Sequence, residues 1–134
     1  MNNKKFLVSW VVVFVTIFVC DWILHGKILN DLYHQTAQLW RTKEEMNALG
    51  LWMMLGNVLW SGAFSYLFLT GCYGKGLNAG VRFGALVGLL FAAHSTVMYA
   101  IEPYPAVLSI SWAVGFVVEY AIAGAVLGLI NKPV

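Results

Sequence analysis

The sequence predicts an all-α fold, a four-transmembrane-helix bundle with a short interfacial amphipathic helix between its first and second spans. Three observations carry that expectation. Hydrophobic residues make up 60% of the 134 residues and charged residues only 10%, which leaves too little polar surface to coat a water-soluble domain. The apolar residues fall into four runs, each near the roughly 20 residues needed to cross a hydrocarbon core about 30 Å thick. The charges lie almost wholly between these runs, so the formal net charge of +2 reports orientation in a membrane and gives no sign of nucleic-acid binding. The chain reads as a single integral membrane domain over residues 1–134.

The first helix is expected over about 6–25. Its start, lysines followed by the apolar run Phe6 to Val19, resembles a secretory signal, but no small-x-small cleavage site follows. Ile17, Phe18 and Val19 precede Cys20, so the small residue of a lipoprotein signal is also missing, and the run reads as an uncleaved span. Cys20 and Cys72 fall on opposite sides of the membrane and cannot pair.

The segment 27–41 carries Ile28, Leu29, Leu32, Tyr33, Leu39 and Trp40 at helical spacing, with Lys27, Asp31, His34, Gln35, Gln38 and Arg41 on the other face. It is expected to lie on the membrane surface as an anchor, with docking of a partner as the second reading. The second span is expected over 43–70, opened by a capping box of Thr42 and Glu45. Gly71, Gly74 and Gly76 break the chain after it. The third span is expected over 81–101, closed by Pro103 and Pro105, which cannot donate the bonds that continue a helix. The fourth runs over 106–130.

Lys4, Lys5, Lys75, Arg82 and Lys132 share one side of this topology without an acid. Lys27, Arg41 and Lys43 share the other with Asp31, Glu44, Glu45 and Glu102. Cytoplasmic loops keep the excess of lysine and arginine, so both termini are expected in the cytoplasm and the loop after the first helix in the periplasm of a bacterial inner membrane.

Gly80, Gly84, Gly88 and Ala92 recur every four residues, and Gly124 and Gly128 answer on the fourth helix. Such stripes let backbones approach where hydrophobic burial no longer drives association. The favoured partner is a helix of the same chain, with a second copy as the alternative.

Ionisable groups inside a membrane need partners or a purpose, because each costs about 2.5–3.5 kcal/mol on insertion scales. At 1.5 Å per residue, Asp21, Asn57, His94 and Trp112 share a layer roughly 10 Å below the periplasmic surface, and Glu119 lies about 10 Å deeper. Asp21 and His25 are one helical turn apart on one face. The candidate metal or proton site is therefore Asp21, His25 and His94, with Asn57, Glu102 and Glu119 as supporting groups, and a divalent metal is the ligand such donors suit. The competing reading is structural: Asp21 pairs with His94, Asn57 bridges helices, and Glu119 is protonated or hydrogen-bonded. Haem between His25 and His94 is disfavoured, because the two differ by roughly 8 Å in depth.

Phosphate loops, nucleophile elbows and serine or cysteine beside a base are missing. Transport within one chain has little support, since no proline-interrupted helix pair marks a repeat interface. The strings DWILHG, LYHQTAQLWRTKEEM and GVRFG across four spans resemble a group of small bacterial inner-membrane proteins of the domain-of-unknown-function type. That resemblance implies a topology and a bacterial origin and assigns no residue a role. The leading expectation is a non-enzymatic accessory subunit, partnered by lipid and by another membrane protein or a second copy. The alternative is a metal- or proton-binding protein using the Asp/His cluster, followed by a small transporter or an enzyme acting on a lipid-soluble substrate.

Overall fold

The computed structural model describes residues 2–132. Among these the chain is helical apart from its turns: α1 (Asn3–Ile23), α2 (Asn30–Gln35), α3 (Lys43–Ala48), α4 (Gly50–Gly71), α5 (Gly76–Tyr99) and α6 (Ala106–Ile130). The first helix, with the turn that extends it to Ile28, and α4, α5 and α6 are each long and apolar enough to cross a membrane. The protein is a multi-pass, all-α membrane protein.

Three departures from the expected boundaries have local causes. The second span is not continuous from 43 to 70. The capping box forms as expected, with the Glu45 N–H donating to Thr42 Oγ1 and the Thr42 N–H to the Glu45 carboxylate. The helix it starts ends at Ala48, because Leu49, with φ of −97° and ψ of 9°, leaves the helical region, and α4 begins at Gly50. Glycine is a poor helix former, and the break falls immediately before Gly50.

The third span starts earlier than 81. Gly74 and Gly76 take φ of 72° and 77°, a region other residues enter at a steric cost. The turn therefore closes quickly and α5 begins at Gly76. Lys75 helps by donating to the Gly71 carbonyl at 2.7 Å, satisfying a free acceptor at the end of α4.

The surface segment is not one amphipathic helix. α1 widens into a π-helical turn over Leu24–Ile28, after which come α2 and a 3₁₀ turn, Ala37–Leu39. Of its apolar face, Ile28 remains exposed, while Leu29 is buried against Leu108 and Tyr104 with Leu32, Tyr33, Leu39 and Trp40 around them. Much of that face is spent on this chain's own helix ends.

The four long helices form a ring. α1 packs on α4 and α6, and α5 on α6. Aromatic side chains close α4 onto α5, with Trp60 against Phe91 at a ring separation of 4.1 Å and Phe64 against Phe83 at 5.0 Å. Val13, Ile17, Phe64, Phe68, Tyr120 and Leu127 fill the centre.

The α5–α6 contact is the tightest in the molecule. A Cβ placed on Gly80 would overlap the Gly124 carbonyl, and one on Gly124 would overlap that of Gly80. Gly84 stands in the same way against the Tyr120 carbonyl, Gly88 against Phe116 and Val117, and Gly128 against Gly76. Backbone thus meets backbone along both helices, the geometry that small residues permit.

One end of the bundle gathers both described ends of the chain and the α4–α5 turn. The Lys5 ammonium donates to the Tyr73 hydroxyl, and the Asn131 amide donates to Ser9 Oγ at 3.2 Å. The opposite, distal end carries α2, α3 and the Pro103–Tyr104–Pro105 loop.

Candidate functional site

The distal end holds the polar cluster. Its position follows from the π-turn, in which the Leu29 N–H reaches back five residues to the Leu24 carbonyl at 2.8 Å. That wide turn reverses the chain into α2 and lays Tyr33 beside His25, with Nδ1 2.6 Å from the phenol oxygen. The Trp112 indole of α6 donates to the same oxygen at 2.7 Å. An indole N–H can only donate, so the Tyr33 oxygen accepts there and its own proton is free for His25 Nδ1. The neutral imidazole then carries its proton on Nε2, which faces Asp21 Oδ1 at 3.7 Å.

Around this chain of contacts stands an aromatic cap. Trp40 lies edge-on to Tyr33 and to Trp112, and Tyr104 lies against Trp112 at a ring separation of 4.8 Å. Pro103 and Pro105 keep the loop extended at Tyr104, which is buried and donates to the Ser95 carbonyl at 3.3 Å. Trp40 is fixed by its indole N–H donating to Thr36 Oγ1, which in turn donates to the Leu32 carbonyl.

Burial pushes the Tyr33 phenol above its ordinary range, against the lowering effect of the Trp112 hydrogen bond, and the charge of Asp21 adds to the rise. Burial also raises Tyr104, helped by the charge of Glu102 and opposed by the Ser95 hydrogen bond. Both phenols are protonated at neutral pH and serve as hydrogen-bonding groups in an apolar cap.

The structure joins Asp21 with His25 and separates the pair from His94, Glu102 and Asn57. His94 lies exposed on α5, on a different face from the buried stripe of Gly84, Gly88, Ala92 and Ser95. It joins neither a three-ligand site nor the expected pair with Asp21. Glu102 is exposed in the loop after α5. Asn57 is half-buried on α4, where its backbone carbonyl accepts from Ser61. Among the described residues no three of histidine, cysteine, aspartate and glutamate are arranged to hold a metal ion.

Glu119 lies apart from the cap, 3% exposed, with no hydrogen-bond partner for either carboxyl oxygen among the described residues. Tyr33 and Tyr104, which organise the distal cluster, were not among the expected site residues. The signals were a tyrosine eight positions after His25 and one held between two prolines, neither specific without the tertiary contacts.

These features define a class, the four-helix multi-pass membrane protein with an aromatic-capped Asp–His pair at one end. Comparison with protein-family models, with curated proteins and with solved structures gives no match.

Proposed function

We propose that the protein is a non-enzymatic membrane subunit that acts by lateral association, in a larger complex or as a homo-oligomer, in a bacterial inner membrane with both termini cytoplasmic. The observation that supports this is the first half of α4. Every residue from Leu51 to Gly56 is exposed, Leu51 at 84%, and no atom of the described residues beyond its own helix lies within 4 Å of a Cβ placed on Gly50 or Gly56. At the next residue, the Asn57 carboxamide makes no hydrogen bond among the described residues. Lipid tails can cover leucine and methionine but offer an amide neither donor nor acceptor, whereas a second helix offers both. The orientation rests on Lys4, Lys5, Lys75, Arg82 and Lys132 at the end that gathers the termini.

Photocrosslinking in cells from a benzophenone side chain at Leu51 or Met53 tests the association. The expected result is one discrete adduct that weakens in Asn57→Leu. Adducts to lipid alone, with a monomeric chain after mild solubilisation, would overturn the reading.

A second reading, proton binding, draws on the Asp21–His25–Tyr33 contacts. Imidazole NMR across pH checks it, with a His25 titration that moves in Asp21→Asn in support and an unchanged one against.

A further inference from the structure

Between α1 and α6 a groove of 190 Å³ opens on the lipid-facing side of the bundle, lined by Cys20, Leu24, Ile28, Gly115 and Ile122 among others, and by Glu119. All its lining residues other than Glu119 are apolar or, in Cys20, weakly polar. We propose that this groove binds a lipophilic amine, whose nitrogen pairs with the Glu119 carboxyl while its hydrocarbon chain occupies the groove and continues into lipid.

Three observations point to that chemistry. First, Glu119 is almost wholly buried and both of its oxygens lack a partner among the described residues. Buried polar groups are nearly always hydrogen-bonded, and a titratable one inside a membrane marks a site more often than a packing contact. Second, no lysine or arginine supplies the missing charge, because these residues lie toward the ends of the spans or in the loops. Asp21, within electrostatic reach of Glu119 across the α1–α6 contact, adds a further acid to the same field. The bare carboxyl therefore favours a cation.

Third, depth and size narrow the occupant. Glu119 is the fourteenth of the 25 residues of α6, at least about 16 Å from either end of the helix at 1.5 Å per residue, which is beyond the reach of a headgroup amine. The groove spans Cys20–Ile28 on one wall and Gly115–Ile122 on the other, only about 12 Å of helix. That is too short to seat a spanning helix from a partner, but it admits an alkyl chain.

The binding step balances without another reactant. A tertiary amine crosses hydrocarbon in its neutral form and meets the carboxylic acid of Glu119. The acid O–H bond breaks, the nitrogen takes the proton, and an ammonium–carboxylate pair remains with no net charge moved into the membrane. The pair is held by a charge-assisted hydrogen bond, stronger than one between neutral groups.

The test is equilibrium binding of radiolabelled N,N-dimethyloctylamine to the full chain in lipid nanodiscs, with empty discs subtracted. The expected result is one saturable site per chain, weakened about tenfold or more in Glu119→Gln, as loss of a hydrogen bond to a charged group implies. Octanol should not compete. Val118→Phe, which leaves the acid in place and narrows the mouth, should weaken binding as well. Absence of saturable binding above empty discs, a Glu119→Gln affinity within about twofold of wild type, or effective competition by octanol would each overturn the proposal. If Glu119→Gln does not fold, unaltered binding in Val118→Phe overturns it and weakened binding supports it.

Discussion

The Trp112 indole N–H donates to the Tyr33 hydroxyl at 2.7 Å, across 79 positions of sequence. This bond joins the segment after the first span to the start of the last, and through His25 it reaches Asp21.

Removing the shared oxygen should therefore loosen the distal end as a unit. Tyr33→Phe leaves the Trp112 N–H and His25 Nδ1 without partners and should cost about 1–3 kcal/mol. Trp112→Phe added to Tyr33→Phe should cost less than it does alone, because the bond is already lost. Denaturant titration of the four chains gives the coupling, and additive losses would show that the bond contributes nothing.

The pH dependence of the cap has a definite sign. Tyr33 and Tyr104 are held above their ordinary 10, so the folded state favours the neutral phenol. Their contribution is complete below pH 10 and is lost as pH rises from 10 through the folded values. Phenolate absorbance, with Tyr33→Phe subtracted, should show Tyr33 ionising later in the folded protein than in the denatured chain. Trp112→Phe should delay it further, since the indole bond lowers the value. An earlier ionisation in that variant would contradict the assignment.

At the α5–α6 seam, a methyl group on Gly84 has no space because it falls on the Tyr120 carbonyl. Gly84→Ala must separate two backbones and should cost about 1–3 kcal/mol. Gly71→Ala, where no atom of the described residues beyond its own helix lies within 4 Å, should change stability by no more than about 0.5 kcal/mol. Equal losses in an unfolding assay would mean that the seam is not close-packed.

The α1–α4 contact depends on a different fit. Trp10 lies over Gly62, its Cε2 2.9 Å from where a Cβ would be, and its indole N–H donates to the Val58 carbonyl at 2.8 Å. Gly62→Val should displace the ring and cost about 1–3 kcal/mol. Trp10 fluorescence, in a background with the other tryptophans replaced by phenylalanine, should report a changed environment, and an unshifted emission would argue against the displacement.

At the start of α3, Glu45 is held below its ordinary 4.5, chiefly by the Thr42 backbone N–H. Its contribution to the cap is full above pH 4.5 and lost as pH falls through the lower folded value. Carboxyl carbon NMR should show Glu45 titrating lower in the folded protein than in the denatured chain, and moving up in a Thr42→Pro chain, which lacks that N–H. Coincident folded and denatured titrations of Glu45 would rule out the capping bond.

The sequence by itself determined the helical spans, the capping box, the breaks at glycine and proline, and the small-residue stripes. Each follows from local chemistry: hydrophobic length, a donor to satisfy, a φ that only glycine takes cheaply. The break at Leu49, the early start of α5 and the division of segment 27–41 also have local causes, but they depend on small differences between competing local conformations. Tertiary structure decided what lies beside what. Helical periodicity places His94 on a face but does not say which helix that face meets, and depth along the membrane normal says nothing about position around the ring. Asp21 and His94 are expected in one layer and still do not meet, whereas Tyr33 and Trp112 do, because a π-turn reverses the chain and α1 and α6 are neighbours in the ring. The bare carboxyl of Glu119 has the same origin, since only the packing of α1 on α6 determines that no donor among the described residues reaches it.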